Sequence, residues 1–246
     1  TEPMPIQPTA HSAMGGSPTN LAAEAVLDEN WTVLPGLYAA GEVACVSCHG
    51  ANRLGTNSLV DLVVFGRRGG MKMAEYARHA DFVPLPANPA GEIEAELTRI
   101  RTSSGKSRPG VLRQAMQKTM MDNVGVFREA RGMQQALDEV RELKHRYQTD
   151  LSIDDRGFRF NTDLLEAWEL GCLLDMAETT AVSAINRTES RGAHSREDCK
   201  GRDDANWMVH TLVCRPSELP PFDAGNPELT VNTRKKVDMS LAEQDE

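Results

Sequence analysis

Residues 49–59 combine residue types that are well suited to holding an anionic ligand. Arg53 supplies a permanent cation, Gly50 and Gly55 allow the backbone to approach a ligand, and a mostly apolar run follows at residues 60–65. A helix beginning there would offer free N–H groups and partial positive charge, which attract anions. The planar guanidinium of Arg53 can hold a carboxylate through two parallel hydrogen bonds. We therefore expect this loop to bind an anionic group close to backbone amides.

Two other side chains stand among small residues and could reach the same ligand. A single histidine such as His11 is more often structural in these surroundings, and a lone glutamate is often a solvated surface group. Glu42, however, directly follows a predicted buried strand, which is where ligands bind in open α/β sheets. Gly15 and Gly16 are expected to allow close approach of the backbone to a ligand, because they lack a Cβ atom.

Four segments of the chain together resemble one enzyme family. Residues 8–16 read PTAHSAMGG, residues 35–42 read PGLYAAGE, residues 49–67 read HGANRLGTNSLVDLVVFGR, and residues 187–207 contain RTESRGAHSR and RDDANW. These resemble, in order, the substrate-histidine strand, the second flavin segment, the flavin- and dicarboxylate-binding segment and a late signature of succinate dehydrogenase and fumarate reductase flavoprotein subunits. Because the segments keep the family's order across residues 8–207, the resemblance covers nearly the whole chain.

The resemblance implies roles for individual residues. Substrate dicarboxylate would be bound by His11, Arg53 and Thr56. The cofactor FAD would be bound by Gly15, Gly16, Glu42, Asn57, Ser58 and Leu59. Glu42 would contact the sugar-alcohol hydroxyls, and the helix N-terminus at Ser58 would stabilise negative charge developing on the flavin. Ser12 departs from the family's tyrosine-like aromatic, so the pocket differs in shape at that position.

The resemblance is strongest to the C-terminal part of a succinate dehydrogenase flavoprotein subunit. Such a subunit oxidises succinate to fumarate by hydride transfer to FAD and passes electrons to an iron–sulfur subunit and then to quinone. No GxGxxG phosphate loop occurs in the chain. We expect that loop, the histidine attached covalently to FAD and the proton-shuttle arginine to lie upstream, so that these residues alone are inactive. Membrane-anchor subunits would place the protein on the cytoplasmic face of the inner membrane, or on the matrix side in mitochondria.

Three other functions stay open. Fumarate reductase runs the same chemistry in reverse, although residues 43–47 and 59–65 look more like the dehydrogenase branch. L-Aspartate oxidase is a more distant relative, and Gly55 counts against it because that branch more often carries alanine there. The helical half could also be a non-catalytic interaction module in a truncated gene product.

Bulk composition excludes some classes of protein. The 246 residues carry a net charge of −9, which disfavours nucleic acid as a partner because phosphate binding needs a basic face. Five cysteines do not form an even disulfide framework and are typical of a reducing compartment. Cys45 and Cys48 have CxxC spacing, but no second pair accompanies them, so we expect no metal site. No apolar run approaches the ~18 residues of a membrane helix.

The pattern of the elements predicts an α+β protein with three parts. Residues 1–85 would be the C-terminal portion of a Rossmann-like FAD-binding and substrate domain, with short buried strands at 33–34 and 37–40 and a helix capped by Asn57 or Ser58 that runs toward Tyr76. Residues 86–186 would form an antiparallel helical bundle after a proline-rich linker. Residues 187–246 would be a charged segment that packs back on the flavin domain, with an irregular tail from Asn232 onward.

Four apolar stripes at helical spacing predict the helices of the bundle. Their members are Ile93, Leu97 and Ile100; Leu112, Ala115, Met116, Thr119 and Met120; Met133, Ala136, Leu137, Val140 and Leu143; and Leu164, Leu165, Trp168, Cys172 and Met176. The motif at residues 107–110 predicts a helix start, and Asn161 to Asp163 offer a cap.

A dense polar cluster follows the bundle and consists of Arg187, Glu189, Arg191, His194 and Arg196. We interpret it as an ion-paired seam that joins the bundle to the flavin domain. In the alternative, His194 lies near the entrance of the active site.

Overall fold

The computed structural model describes residue 4 and residues 13–216, 229–235 and 237 of the chain. Its helices are α1 (Asn57–His79), α2 (Gly91–Thr102), α3 (Pro109–Val124), α4 (Ala130–Thr149), α5 (Thr162–Asn186) and α6 (Asp204–Trp207). Its strands are β1 (Ser17–Pro18), β2 (Glu24–Val26), β3 (Val33–Tyr38), β4 (Ala44–Cys45), β5 (Phe127–Arg128), β6 (Ser195–Arg196), β7 (Val209–Cys214) and β8 (Thr230–Lys235). This mixture of separate helices and strands confirms the predicted α+β class.

The strands form two-stranded ribbons rather than one large sheet in the described part of the chain. Strand β1 pairs in parallel with β4, and β5 pairs in parallel with β6, whereas β2–β3 and β7–β8 are antiparallel. The β5–β6 pair therefore connects the start of α4 to the charged segment. The β1–β4 pair brings residues 13–18 beside the loop that precedes α1.

Helices α2 to α5 pack into a bundle whose core is mostly apolar. Helices α3, α4 and α5 contact one another, and α2 lies against α5. Fully buried apolar side chains include Ile100, Leu112, Met133, Val140, Leu170 and Leu174. Burial of one such side chain contributes about 1.5–3 kcal/mol of transfer free energy, so this core is the main source of the bundle's stability.

The predicted ends of two bundle helices are confirmed. Helix α3 begins at Pro109, where the fixed φ of proline suits the first helical position and its missing N–H costs nothing. Asn161 caps α5, and its side-chain oxygen accepts a hydrogen bond of 2.8 Å from the backbone N–H of Leu164. This contact satisfies one of the free donors at the helix start.

The predicted buried face of α5 is wrong at Leu165, Cys172 and Met176, whereas Leu164 and Trp168 pack against the core as predicted. Leu165 and Met176 are each 59% exposed and Cys172 is exposed, while Leu164 and Trp168 are only partly buried. The buried face instead consists of Ala167, Leu170, Leu174, Ala177, Ala181 and Ala184. The helix is apolar on several sides, and its alanines let α3 and α4 approach closely, so the small residues mark the core. Ile93 on α2 is likewise 43% exposed.

Two further predictions need correction. Residues 33–34 and 37–40 do not form two buried strands, because Val33–Tyr38 is one continuous strand that is largely exposed. Gly36 has a φ of +85°, so the strand passes through the predicted turn. The tail is not irregular from Asn232, since strand β8 extends to Lys235 and pairs with β7. Residue 236 and residues 238–246 lie outside the described residues.

Helix α1 differs from the bundle helices because most of its apolar residues are exposed. Only Asp61, Phe65 and Gly69 are buried, whereas Leu59 and Val63 are about two-thirds exposed at 66% and 64%. The helix runs past Tyr76 as predicted, and the proline-rich linker at residues 82–90 is exposed. In the part of the chain that the structure describes, no helix combines the length and apolar character needed to cross a membrane.

Candidate functional site

The N-terminus of α1 is open at its first turn. Its cap is Thr56 rather than the predicted Asn57 or Ser58, and the side chain of Thr56 makes no capping hydrogen bond. The first turn contains no acidic residue. Thr56 has a φ of 70°, a left-handed conformation that is strained for a β-branched residue. Strain of this kind often occurs where a ligand is held, so the loop is a candidate anion site.

Some of the backbone N–H groups at the start of α1 already donate hydrogen bonds within the chain. The N–H groups of Leu59 and Val60 donate to the carbonyl of Thr56 at 3.0 and 3.4 Å. The N–H groups of Asn57 and Ser58 come before them in the helix, where an α-helix offers no internal acceptor. Of the residues predicted to bind FAD here, Asn57 and Ser58 therefore have the better-placed backbone donors.

Arg53 is buried and held on several sides. Its Nε–H donates to the carbonyl of Ala13 at 2.9 Å, Nη1 donates to Oδ2 of Asp61 at 3.4 Å, and Nη2 donates to the carbonyl of Glu42 at 3.4 Å. A guanidinium has five N–H donors, so these three bonds leave one donor on each terminal nitrogen. A carboxylate accepts such a pair in bidentate fashion. Arg53 is thus pre-oriented but not saturated.

Ala13 connects the segments that carry the predicted site residues. Its backbone N–H donates to Oε1 of Glu42 at 2.6 Å, while its carbonyl accepts from Arg53. Glu42 lies in a single turn of 3-10 helix at Gly41–Val43. The structure therefore brings Glu42 and Arg53 together at the backbone of residue 13. His11, two residues earlier, lies outside the described residues, so its distance from Arg53 stays a prediction.

The two glycines at residues 15 and 16 have different surroundings. A Cβ atom on Gly16 would lie 2.4 Å from the carbonyl oxygen of Val43, so close packing of the chain itself requires glycine there. A Cβ atom on Gly15 would meet nothing within 4 Å. Both have positive φ values, of 90° and 130°, which side chains rarely tolerate. Gly15 therefore leaves room beside the site, and contact of either glycine with FAD stays a prediction.

A second carboxylate lies behind Arg53. Asp61, on the second turn of α1, is buried, and its Oδ2 lies 3.0 Å from Nε2 of His49 and 3.4 Å from Nη1 of Arg53. Sequence reasoning missed Asp61 and His49. The signal was available, because Asp61 is the one acidic residue inside the mostly apolar run at residues 60–65.

Donor atoms of Cys48, His49 and Asp61 lie within 4.8 Å of one another and could in principle hold a metal ion. Burial and the neighbouring carboxylate of Asp61 raise the pKa of the Cys48 thiol to about 11, so it is protonated at neutral pH. The Arg53 guanidinium contacts the same carboxylate oxygen and repels a second cation. This cluster is therefore better suited to holding Arg53 than to holding a metal.

Comparison with known proteins gives a consistent result. The family model described as "Fumarate reductase flavoprotein C-term" matches residues 113–242, and an "FAD binding domain" model matches residues 1–59. The succinate dehydrogenase flavoprotein subunit of Coxiella burnetii is 47% identical over 224 residues, covering 89% of this chain and 38% of that protein.

This chain belongs to the succinate dehydrogenase and fumarate reductase flavoprotein family. The fumarate reductase flavoprotein subunit of Proteus vulgaris is 40% identical over 244 residues, covering 96% of this chain and 39% of that protein. An E. coli quinol fumarate reductase chain superposes with a TM-score of 0.83 at 38% identity, covering 97% of this chain and 39% of that chain. The chain thus spans about two-fifths of the length of its family relatives.

The polar cluster that follows the bundle is ion-paired in this flavoprotein chain. Glu189 is fully buried and accepts hydrogen bonds from Arg187 at 2.6 Å and from Arg191 at 2.7 and 2.9 Å. Burial would raise the pKa of Glu189, but bonds from Arg191, Asp203 N–H and Arg187 lower it to about 2. The carboxylate is therefore ionised at neutral pH and already fully engaged.

His194 belongs to the same seam. Its Nδ1 accepts from Nη1 of Arg128 at 2.8 Å, and its Nε2–H donates to the carbonyl of Arg187 at 3.0 Å. Burial and nearby cations, led by Arg128, lower the pKa of His194 despite the hydrogen bond to Arg187. The ring is thus neutral and already bonded at both nitrogens. These contacts favour the interpretation of the cluster as a structural seam.

The charged segment also reaches the loop that carries the candidate site. The backbone N–H of Ala193 donates to the carbonyl of Ala51 at 3.1 Å, and Oγ of Ser47 lies 2.8 Å from Nε2 of His210. A Cβ atom on Gly192 would come within 2.8 Å of the Ala51 backbone. The segment therefore packs directly on the loop between β4 and α1.

Proposed function

We propose that this chain is the C-terminal part of a succinate dehydrogenase flavoprotein subunit. One observation carries the proposal: a buried, pre-oriented Arg53, with two N–H donors that no described residue uses, lies just before an uncapped helix N-terminus. That arrangement suits a carboxylate-bearing substrate. The family relationship supports it, since relatives of this chain are named succinate dehydrogenase flavoprotein subunits.

In this proposal Arg53 binds one carboxylate of succinate through its two remaining donors. Thr56, exposed at the start of α1, contributes a hydroxyl next to the same loop. His11 would hold a carboxylate from the opposite segment. Two such anchors fix a flexible dicarboxylate in one orientation, and positioning of reactants can supply about 7–11 kcal/mol of a reaction barrier.

The described residues also fit FAD. The cofactor, when bound, supplies a ring that accepts a hydride from the substrate. Glu42 presents an exposed carboxylate that can accept hydrogen bonds from hydroxyl groups, and Gly15 leaves open space beside it. The first N–H groups of α1, at Asn57 and Ser58, would stabilise negative charge close to the helix axis. A Rossmann-like domain completed by residues upstream would supply the remaining contacts, including a covalent histidine.

The exposed apolar side of α1 supports the same proposal. Leu59, Val60, Val63 and Met71 are each at least 60% exposed, which is unusual for residues at helical spacing. We propose that the rest of the flavin domain covers this side in the intact subunit. An iron–sulfur subunit would then take electrons from the flavin, and membrane-anchor subunits would hold the complex at the membrane.

Fumarate reductase is the second candidate, because relatives at 40% and 42% identity carry that name. The two functions interconvert the same pair of dicarboxylates, succinate and fumarate, in opposite directions and share the roles proposed for Arg53 and Thr56. Direction depends on the reduction potential of the flavin and on the electron-transfer partners. Comparing rates of succinate oxidation and fumarate reduction in the intact complex separates the two.

Arg53→Lys in the full-length subunit tests the proposal. Lysine keeps the charge, but its single nitrogen cannot form the bidentate pair while also keeping the bonds to Ala13, Asp61 and Glu42. We expect kcat/KM for succinate to fall on the order of 100-fold, the loss that a misplacement of about 1 Å can cause. Bound FAD should remain stoichiometric in the flavin absorption spectrum.

Arg78→Lys is the matched control, because Arg78 is an exposed arginine in the last turn of the same helix. It should oxidise succinate at the wild-type rate. Wild-type activity in Arg53→Lys would remove Arg53 from the substrate site and overturn the proposed function of this loop.

A further inference from the structure

We propose that Asp61 is a positioning residue that fixes the guanidinium of Arg53 for catalysis. This inference rests on the proposed function, in which Arg53 binds a substrate carboxylate. Asp61 itself has no predicted contact with substrate or FAD. It would act only through the orientation of Arg53.

The geometry points to Asp61 because it supplies the charged contact of a buried arginine. Only 4% of the Asp61 side chain and 5% of the Arg53 side chain is exposed. In the described part of the chain, Asp61 is the one carboxylate within ion-pair distance of Arg53. The other two acceptors, at Ala13 and Glu42, are neutral backbone carbonyls. A charged acceptor makes a stronger hydrogen bond than a neutral carbonyl does.

His49 holds Asp61 in place. Its Nε2 contacts the same Oδ2 atom at 3.0 Å, and its side chain is 13% exposed. Asp61 also lies on a rigid helix, whereas Arg53 and His49 lie on the loop before it. The contacts His49–Asp61–Arg53 therefore tie the loop at residues 49–56 to the first turns of α1. A carboxylate braced by a second donor is a common way to fix the orientation of a functional side chain.

The negative charge of Asp61 has two opposing effects on how Arg53 binds a dicarboxylate. It orients Arg53, which favours the reactive geometry, but it also offsets part of the positive charge that attracts the substrate. Removal of this charge should thus lower kcat strongly while changing KM little. A residue that only stabilises the fold would lower the amount of folded enzyme and leave both constants of the folded enzyme unchanged.

The test uses Asp61→Asn and Asp61→Glu in the full-length, FAD-containing complex. Asparagine keeps the shape and loses the charge, and we expect kcat for succinate to fall between about 10-fold and about 100-fold. KM should change less than kcat. Glutamate keeps the charge but moves the carboxylate by one methylene, so we expect a smaller loss of about 10-fold. Asp81→Asn, at an exposed aspartate just after α1, is the matched control and should behave as wild type.

A double-variant cycle separates this inference from the proposed function. In an Arg53→Ala background, Asp61→Asn should cause no further loss of kcat, because its only route to the substrate has been removed. Wild-type kcat in Asp61→Asn together with a strongly reduced but measurable kcat in Arg53→Ala would overturn the positioning role alone. Full activity in Arg53→Ala would overturn the proposed function itself. If Asp61→Asn does not fold, wild-type kcat in Asp61→Glu overturns the positioning role.

Discussion

Glu189 and Asp61 are both buried carboxylates paired with arginine, but they are held very differently. Glu189 uses both oxygens and accepts bonds of 2.6–2.9 Å from Arg187, Arg191 and the N–H of Asp203. Asp61 uses one oxygen, with contacts of 3.0 and 3.4 Å. The first carboxylate is saturated, whereas the second leaves capacity on its partner arginine.

This difference separates a structural ion pair from a candidate site. The partners of Glu189 are engaged elsewhere too, since Arg191 also donates to Asp204 at 2.7 Å and Arg187 donates to the carbonyl of Trp207 at 3.0 Å. Such an arrangement has little to offer a ligand. Arg53 keeps two N–H donors and lies next to an uncapped helix end, so it can bind a carboxylate without first breaking an internal bond.

The largest loss of folding stability is expected from Glu189→Gln. Removing the charge takes the buried carboxylate from the poorly exposed Arg187 and leaves Arg191 only its ion pair with Asp204 among the described residues, so the free energy of unfolding should fall by about 3 kcal/mol. The midpoint of urea unfolding measures this loss. Because the pKa of Glu189 is lowered from 4.5 to about 2, the difference from wild type should be full above pH 4.5 and shrink as the pH falls toward 2.

Glu197→Gln is the matched control for that variant, since Glu197 is exposed in the same segment. It should change the free energy of unfolding by less than about 0.5 kcal/mol. Equal stability of the two variants would contradict the structural role assigned to Glu189, and the comparison with Asp61 would lose its basis.

A smaller, pH-dependent effect is expected at His194. Its pKa in the folded protein lies below the ordinary 6.5, so the folded state binds the proton less readily than the unfolded chain does. The stability that His194 contributes is complete above pH 6.5 and is lost as the pH falls through the lowered value. His194→Gln should remove this part of the pH dependence of the urea midpoint. If the urea midpoint of the variant depended on pH between pH 7 and pH 5 just as that of the wild type does, His194 would not be the source of this pH dependence.

The smallest effect on stability is expected from Asp61→Asn. Asparagine still offers an oxygen to His49 and Arg53, and Arg53 keeps its bonds to two backbone carbonyls. We expect the free energy of unfolding to fall by about 1 kcal/mol, well below the effect of Glu189→Gln. Urea unfolding of both variants under the same conditions makes the comparison. A loss at Asp61 equal to that at Glu189 would mean that both carboxylates are primarily structural.

Helix positions were predicted well because they depend on local patterns. The apolar spacing at residues 112–120 and 133–143 predicted α3 and α4, and the helix start at Pro109 and the cap at Asn161 follow from local sequence. The buried face of α5 was predicted wrongly at three of its five positions, because a helix that is apolar on several sides has no single stripe to identify. Only the approach of α3 and α4 decides which of its sides is buried.

In the candidate site, too, local motifs predicted some features and only the packing of the chain decided others. Arg53, Thr56 and Glu42 were predicted as site residues from their motifs, whereas Asp61 and His49, which contact Arg53 or its partner, were not. An acidic residue in an apolar helix pattern can equally well face solvent. Its burial beside Arg53 depends on how the loop at residues 49–56 folds back over the first turns of α1, which is a long-range feature.

The sequence by itself determined the family, the helices of the bundle and the residues that could bind an anion, because motifs and apolar periodicity are local properties of the chain. Tertiary structure alone decided which charges are saturated and which remain available. The distinction arises because two arginine–carboxylate pairs that look alike in sequence can differ in the number of hydrogen bonds that their surroundings supply. Glu189 is enclosed by donors from Arg187, Arg191 and residue 203, whereas the described residues that contact Asp61 through ion pairs lie on the loop that carries Arg53.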